Sequence, residues 1–440
     1  MTQLIDHEDP VQRALVLHPV RPQQAHNRDP QARLEEATGL ALALDLEVVE
    51  SRIVPLRERS PATLFGKGKV EELRLLCEVE KIDVVVVDDS LSPVQQRNLE
   101  KAWNAKVVDR SGVILEIFGR RARTKEGVLQ VELARLEYEK SRLVRTWTHL
   151  ERQRGGTGNT GGPGETQIEL DRRQIADRIL KMKKDLVEVR RTRALHRTQR
   201  KKTPFPTIAL VGYTNAGKST LFNKITAGGV LAKDMLFATL DPTLRTVKLP
   251  DGRPAILSDT VGFISDLPHE LIESFRATLE EVQEADVILH VRDIANPDTH
   301  AQKRDVEKVL DELGLTKDSD RKLVEVWNKA DLLTEDARDE AEGAARRVGA
   351  MLVSSITGEG CEALLNRLAA MVDETPEIDV QLSVNAGEAL AWLYRHGRVV
   401  GRHEGGEGDL HLRVRLDGQA LGRFERMFPD AGVSVADGSA

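Results

Sequence analysis

A run of small, hydroxyl-bearing and basic residues near the middle of the chain has the composition of a phosphate-binding loop. It follows an apolar strand over residues 207–211 and precedes a helical pattern from Thr220. Glycines in such a loop let backbone N–H groups surround phosphate oxygens, and the helix N-terminus adds a favourable dipole. The Lys218 ammonium would contact the β- and γ-phosphates, and the Ser219 hydroxyl would bind Mg²⁺. The residues predicted to bind the phosphates are Gly212, Tyr213, Thr214, Asn215, Ala216, Gly217, Lys218 and Ser219.

A tetrapeptide later in the chain predicts which base the bound nucleotide carries. The Asp331 carboxylate, just after an apolar strand, can accept hydrogen bonds from N1–H and from the exocyclic amine of guanine. Adenine has no donor at N1 and would leave the carboxylate partly unpaired, so the site favours GTP and GDP. Lys329 would cover the purine with its aliphatic stem, and Asn328 would hold neighbouring loops together. The residues assigned to guanine recognition are Asn328, Lys329, Ala330, Asp331, Ser354 and Ser355, the last two through a backbone N–H that reaches guanine O6.

Two loops between these motifs supply candidate groups for Mg²⁺ and for the γ-phosphate. Asp259 follows a short apolar strand and would hold the metal through water, while the Gly262 N–H would contact the γ-phosphate. Thr239 offers a second hydroxyl to Mg²⁺, and its alternative role is that of an ordinary loop threonine. We assign the catalytic contributions to Lys218 and Gly262. The residues of the two loops are Phe237, Ala238, Thr239, Leu240, Asp241, Asp259, Thr260, Val261 and Gly262.

The position after Gly262 differs from many GTPases, in which a glutamine there orients the attacking water. Phe263 occupies this position and can neither donate nor accept a hydrogen bond. We therefore expect slow intrinsic hydrolysis that depends on another component. Asn215 can help to hold K⁺ beside the bridge between the β- and γ-phosphates, or it can simply stabilise a turn.

Alternating strands and helices position these motifs and predict an α/β protein with several domains. Residues 1–119 predict an N-terminal α/β domain with a parallel sheet, and residues 204–373 predict a Ras-like P-loop GTPase domain. Residues 374–440 predict a small C-terminal α+β domain. Its clearest strand covers 409–416, where apolar and polar residues alternate.

Residues 120–203 predict an antiparallel helical hairpin followed by a linker. Two stretches, 128–150 and 168–195, have apolar residues spaced by three and four and almost no glycine or proline. The glycine-rich loop at 155–164 would be a flexible tip or a contact to RNA. The basic run at 191–202, which ends near two prolines, is interpreted as the linker.

Charge is distributed unevenly along the chain. The net charge is −7, yet residues 120–202 contain 23 Lys and Arg against 11 Asp and Glu, a local charge of +12. Such an excess indicates a surface that meets polyanions, and its alternative is a solvated helix face.

Bulk composition excludes several other classes of protein. No apolar run reaches the length of about 18–20 residues that a membrane span needs, and acidic residues near the N-terminus do not fit a signal peptide. Cys77 and Cys361 match no metal-ligand spacing and are interpreted as thiols in a reducing compartment. We expect a cytoplasmic protein and a monomer.

These motifs together resemble the HflX family of translational GTPases. The resemblance covers about residues 13–372, and Phe263 in place of the catalytic glutamine is similar to that family too. Ser355 replaces the family's usual alanine, which leaves the backbone N–H intact. The matching segments are Gly-Tyr-Thr-Asn-Ala-Gly-Lys-Ser at 212–219, Phe-Ala-Thr-Leu-Asp at 237–241, Asp-Thr-Val-Gly-Phe at 259–263, Leu-Phe-Gly-Lys-Gly-Lys at 64–69, Leu-Ser-Pro-Val-Gln-Gln-Arg-Asn-Leu at 91–99 and Gly-Gly-Pro-Gly-Glu-Thr-Gln at 161–167.

The resemblance implies a protein that binds the large ribosomal subunit and helps to split or rescue stalled ribosomes under stress. It also implies that the N-terminal domain and the hairpin reach the peptidyl-transferase region and that the ribosome stimulates hydrolysis. The residues themselves leave two alternatives open. One is a GTPase in RNA modification or ribosome assembly, and the other is a signalling switch with protein partners. The basic hairpin favours RNA over protein partners.

Overall fold

The computed structural model describes residues 11–21, 28–153, 163–200, 205–226, 236–266, 279, 281–315, 322–372, 377–383, 386–404, 409–416 and 418–435. The chain divides into two compact units, Met1–Leu368 and Ala369–Ala440. The finer division into four domains stays a prediction. Within the described ranges, no helix is both long enough and apolar enough to cross a membrane.

The first unit begins with a parallel α/β layer, as predicted. Its elements are β1 (Arg13–Val20), α1 (Pro30–Leu42), β2 (Glu47–Pro55), α2 (Lys67–Val79), β3 (Val84–Val87), α3 (Pro93–Trp103), β4 (Lys106–Asp109) and α4 (Arg110–Arg121). The strands pair in the order β2-β1-β3-β4, and all of them are parallel. All four valines of β3 are buried, because helices cover both faces of such a sheet. Polar residues cap two of the helices: Asp29 accepts two backbone N–H groups of α1, and Ser92 forms a capping box with Gln95 at α3.

Two long helices follow, α5 (Lys125–Gln153) and α6 (Pro163–Arg200), which we call the hairpin. Leu133 and Leu136 of α5 share a small apolar cluster with Ile179 and Leu186 of α6. The predicted linker at 191–202 is wrong as far as Arg200, because α6 continues to that residue. This stretch has no glycine or proline to end the helix, and its arginines favour helix. Most of the predicted tip at 155–164 lies outside the described residues.

The nucleotide motifs lie on a second sheet of six strands. Its elements are β5 (Thr207–Gly212), α7 (Lys218–Thr226), β6 (Thr243–Lys248), β7 (Pro254–Asp259), β8 (Val287–Asp293), α8 (Thr299–Glu312), β9 (Lys322–Asn328), α9 (Glu335–Val348), β10 (Met351–Leu352) and α10 (Cys361–Met371). The order is β10-β9-β8-β5-β7-β6, and only β6 is antiparallel to its neighbour. The carboxyl ends of β5, β7, β9 and β10 therefore meet at one edge, where ligands bind in sheets of this kind.

One apolar cluster joins this sheet to the N-terminal layer. It contains Val113 and Phe118 of α4 together with Phe237 and Phe263 of the nucleotide-binding part. The Phe118 and Phe237 rings meet edge to face, with their centroids 4.6 Å apart. The two layers of the first unit therefore share a core.

The second unit is a small antiparallel α+β layer, also as predicted. Its elements are β11 (Glu377–Ser383), α11 (Gly387–His396), β12 (Arg398–Glu404), β13 (Asp409–Arg415), α12 (Gly418–Met427) and β14 (Gly432–Val435). The strand order is β12-β13-β11-β14. In β13 Leu412 and Val414 are buried whereas His411 and Arg413 are exposed, which confirms the predicted alternation.

Candidate nucleotide-binding site

The phosphate loop curls around the Lys218 ammonium at the end of β5. Lys218 is buried, and its Nζ donates to the carbonyl oxygens of Gly212, over 3.1 Å, and Tyr213, over 2.7 Å. Burial lowers the pKa of Lys218 to about 8, although the charge of Asp259 acts in the opposite direction. A buried ammonium that donates to two carbonyl oxygens and senses the charge of Asp259 is a strong partner for an incoming phosphate.

Close approach of other groups explains two glycines of the site. Gly217 has a φ of +87°, and a Cβ there would lie 2.2 Å from Nδ2 of Asn328. A Cβ at Gly262 would lie 2.9 Å from Cα of Thr214 and 3.0 Å from Nζ of Lys218. Any side chain would push these loops apart, so only glycine fits at both positions.

Three side-chain oxygens converge beside the phosphate loop. Ser219 Oγ lies 2.8 Å from Thr239 Oγ1 and 2.7 Å from Asp259 Oδ2, and Thr239 Oγ1 lies 2.9 Å from the same carboxylate oxygen. Neighbouring ligands in an octahedron with bonds of about 2.1 Å are about 3 Å apart, so the spacing of the Ser219 and Thr239 hydroxyls suits direct binding of Mg²⁺, with Asp259 beside them.

The Asp259 carboxylate is incompletely satisfied by protein groups. Its Oδ1 atom is buried and, among the described residues, has no hydrogen-bond partner. Burial raises the pKa of Asp259, while hydrogen bonds from Ser219 and Thr239 and the Lys218 charge lower it. A buried carboxylate with an unpaired oxygen fits a hydrated cation nearby.

The predicted residues differ in how they face the cleft. Leu240 and Val261 are buried in the shared apolar core, and Asp241 contacts the start of α5. Thr220 lines the cleft but was not predicted, although it directly follows the phosphate-loop motif. The residues that line the cleft are Thr214, Asn215, Gly217, Lys218, Ser219, Thr220, Phe237, Ala238, Thr239, Thr260 and Gly262.

Asn328 ties the phosphate loop to the loop after β10. Its Nδ2 donates to the Ala216 carbonyl over 2.9 Å. Its Oδ1 accepts from the backbone N–H of Ser355 over 3.0 Å and from the Ser355 hydroxyl over 2.7 Å. The Ser355 side chain therefore adds a second bond to Asn328, besides that of its backbone N–H.

Asp331 and Lys329 have fixed positions at the edge of the sheet. The Ser354 hydroxyl donates to Asp331 Oδ1 over 2.6 Å, a side-chain role in addition to the backbone role that the sequence predicts. Lys329 has a φ of +66°, and its Nζ lies 2.8 Å from Asp293 at the end of β8. The second oxygen of Asp331 is not used in that bond and can face a purine.

The chain matches four successive family models. They are described as GTP-binding GTPase N-terminal (31–119), GTP-binding GTPase Middle Region (121–200), 50S ribosome-binding GTPase (207–329) and HflX C-terminal domain (340–435). GTPase HflX of Magnetococcus marinus is 50% identical over 430 residues, which cover 98% of each chain. GTPase HflX of Escherichia coli is 39% identical over 418 residues, which cover 94% of this chain and 95% of that one.

The chain belongs to the HflX family. It is a P-loop GTPase that binds guanine nucleotide and hydrolyses GTP.

In this HflX-family chain the residue after Gly262 points away from the cleft. Phe263 is only 2% exposed and packs in the shared core. Its backbone joins the phosphate loop, because the Thr214 N–H donates to the Phe263 carbonyl over 2.6 Å and the Phe263 N–H donates to the Gly212 carbonyl over 3.1 Å. The Phe263 ring is therefore an anchor and does not reach a γ-phosphate.

Polar residues of the N-terminal layer also support the site of this HflX-family chain. The Tyr213 hydroxyl donates to Glu36 Oε2 over 2.6 Å and accepts the Ser265 N–H over 2.9 Å. Arg110, fully buried at the start of α4, pairs with Glu36 and Asp88 and donates to Ser265. No local sequence signal indicates these contacts, since they join segments that are far apart in the chain.

Proposed function

We propose that this GTPase acts on the ribosome as a monomer, binding the large subunit and helping to split or rescue stalled ribosomes under stress. The observation that carries this proposal is the exposed basic surface of α6, which belongs to the same compact unit as the nucleotide site. Its exposed basic residues are Arg172, Arg173, Arg178, Lys181, Lys183, Lys184 and Arg191. Such a surface suits RNA phosphates.

Mg²⁺ fits the oxygens beside the phosphate loop. Ser219 and Thr239 would bind it directly, and Asp259 would hold it through water. When bound there, Mg²⁺ would neutralise the negative charge that develops on the phosphates in the transition state. Two groups of the protein contact the phosphates directly: Lys218 binds them, and the Gly262 N–H positions the γ-phosphate.

We assign guanine recognition to the loops that follow β9 and β10. Asp331, oriented by Ser354, would accept from guanine N1–H and the exocyclic amine, and Lys329 would cover the ring. Ser355 would present its backbone N–H to guanine O6. This donor and acceptor pattern rejects adenine.

Hydrolysis by the free protein is slow in this proposal, because Phe263 is buried in the core and does not orient water. The ribosome would complete the γ-phosphate site by ordering the segments that contain Thr239 and Gly262. K⁺ held near Asn215 would add positive charge beside the β/γ bridge. Asn215 lines the cleft and its side chain is exposed.

Cosedimentation tests the ribosome proposal directly. Purified protein is centrifuged with isolated large subunits, small subunits or no ribosomal particle, in GDP or a non-hydrolysable GTP analogue. We expect it to pellet with large subunits, and more so with the analogue than with GDP. Failure to pellet with large subunits in either nucleotide would contradict the proposal and favour a signalling switch with protein partners. Equal binding to both subunits and to unrelated RNA would favour another RNA task.

A further inference from the structure

The loop that contains Thr239 contacts the start of the hairpin through Asp241. One carboxylate oxygen of Asp241 accepts the backbone N–H groups of Arg123, over 2.9 Å, and Thr124, over 3.0 Å. The other accepts the Thr124 hydroxyl over 2.6 Å, and that hydroxyl in turn accepts the Gly127 N–H over 3.0 Å. Thr124 directly precedes α5, so Asp241 completes the N-terminal cap of a helix that lies more than a hundred residues earlier in the chain.

Gly127 gives this carboxylate the space it needs. A Cβ at Gly127 would lie 2.6 Å from Asp241 Oδ1 and 3.0 Å from Thr124 Oγ1. A glycine in the first turn of α5 costs helix stability of about 1 kcal/mol relative to alanine. The close approach of Asp241 explains why position 127 holds a glycine.

The other end of the same loop is held by the end of α4. Arg121 donates to the Leu236 carbonyl over 2.8 Å and also to the Phe237 carbonyl. Phe237 has a φ of +56°, which is uncommon for a bulky residue, and its ring packs against Phe118. The segment 236–241 is therefore held at both ends by residues 118–127, the junction between α4 and α5.

Thr239 lies midway between these two anchors, and its hydroxyl is within 2.9 Å of both Ser219 and Asp259. We propose that Asp241 is a positioning residue: by docking on the N-terminus of α5, it sets Thr239 at the place where a hydroxyl meets Mg²⁺ and the γ-phosphate side of GTP. Coupling is reciprocal, so GTP bound at Thr239 stabilises the first turn of α5. This goes beyond the ribosome proposal and needs no ribosome to be tested.

The first experiment measures nucleotide affinity of the full chain by equilibrium binding. Asp241→Ala is compared with wild type for GDP and for a non-hydrolysable GTP analogue, in Mg²⁺ and in EDTA. We expect the analogue in Mg²⁺ to bind about tenfold more weakly, whereas GDP affinity stays within about twofold. Asp241→Asn, whose amide oxygen can still accept the two N–H groups, should lose less. Equal weakening of GDP and analogue, or no change for either, would overturn the proposal.

Gly127→Ala provides a second variant that keeps the carboxylate but displaces it. If helix propensity alone decided the effect, alanine would make the protein more stable and leave analogue binding unchanged. We expect the same selective loss of analogue binding as in Asp241→Ala. Gly343→Ala is the matched control, because Gly343 lies within α9 and its Cβ would contact nothing within 4 Å. If Gly127→Ala binds the GTP analogue as tightly as Gly343→Ala does, the proposal is contradicted.

A double-mutant cycle and hydrogen exchange test the route through Thr239. If Asp241 acts through Thr239, Asp241→Ala should add almost no further loss of analogue binding to Thr239→Ala. Amides of Arg123, Thr124 and Gly127 should exchange more slowly with the analogue than with GDP in wild type, and this difference should vanish in Thr239→Ala. Additive losses, or exchange that is independent of nucleotide in wild type, would show that the cap is only structural.

Discussion

Tyr213 of the phosphate loop donates its hydroxyl hydrogen to Glu36 of α1 over 2.6 Å. The same hydroxyl oxygen accepts the Ser265 N–H, and burial raises the pKa of Tyr213, which keeps the phenol protonated. One side chain of the motif therefore connects three segments: the phosphate loop, the stretch after Gly262 and the N-terminal layer. The nucleotide site depends on a helix that ends long before the motif begins.

Replacing Tyr213 with phenylalanine should destabilise the first unit. The ring would remain, but the Ser265 N–H would lose its acceptor and Glu36 would lose a donor in a buried environment. We expect the free energy of unfolding to fall by about 1–3 kcal/mol, measured by urea denaturation. Tyr394→Phe, in the exposed part of α11, is the control and should change little. Equal stability of Tyr213→Phe and wild type would contradict the inferred support.

Asp331→Asn should change the base preference of the site. An amide at this position can accept one hydrogen bond but presents a donor where guanine has its second donor. GTP affinity should therefore fall by about 1–3 kcal/mol, and xanthosine nucleotides should bind better than they do to wild type. Competition between the two nucleotides measures this. If Asp331→Asn binds GTP as tightly as wild type does, the assignment of guanine to Asp331 is wrong.

Acid should destabilise the protein through His290. Burial lowers the pKa of this histidine on β8 to about 3, with help from the charges of Arg292 and Lys303 and against that of Glu325. Its unfolded value is 6.5, so between pH 6.5 and about 3 the unfolded state binds more protons than the native state does. Stability from this group is complete above pH 6.5 and falls by up to about 1.4 kcal/mol for each pH unit below it.

The free energy of unfolding, measured between pH 5 and 7, tests this role of His290. His290→Gln should flatten its dependence on pH, whereas His300→Gln, at an exposed position of α8, should not. Retention of the full slope in His290→Gln would show that other groups cause the acid sensitivity.

Charge reversal on α6 should weaken association with the large subunit. Replacing Lys181, Lys184 and Arg191 with glutamate should reduce affinity by at least about tenfold and lessen its dependence on salt, because fewer counterions are released. GTP affinity should not change. Arg346 and Arg347, exposed on α9, offer a control reversal outside the hairpin. If the α6 variant binds the large subunit as tightly as this control does, a different surface makes the contact.

Local sequence signals explain why much of the architecture was predictable. The phosphate loop, the Asp259 loop and the Asn328 loop each follow an apolar strand, and parallel strands bring such loops to one edge. The position of Asp241 beside Thr239 predicts nucleotide binding, yet its carboxylate faces the start of α5. That contact depends on tertiary packing between remote segments, and no periodicity in the sequence encodes it. The sequence predicts a linker where α6 continues for another reason: a basic run next to prolines is typical of linkers as well as of helix ends.

We propose that a partner drives GTP hydrolysis and that no side chain at position 263 orients the attacking water. Because Phe263 is part of the core, Phe263→Leu is a milder replacement than alanine, which would leave a cavity. Leucine keeps this position apolar and packed, so a change in GTP turnover would reflect the chemical step and not a loss of packing. Asn215→Ala tests the contribution of K⁺ separately.

Steady-state GTP turnover, with and without large ribosomal subunits and in K⁺ or Na⁺, tests this claim most directly. We predict slow turnover by the free protein, acceleration of at least about tenfold by large subunits, and similar rates for wild type and Phe263→Leu. The K⁺ advantage should disappear in Asn215→Ala. Fast turnover by the free protein that large subunits leave unchanged, and that Phe263→Leu abolishes, would contradict the account.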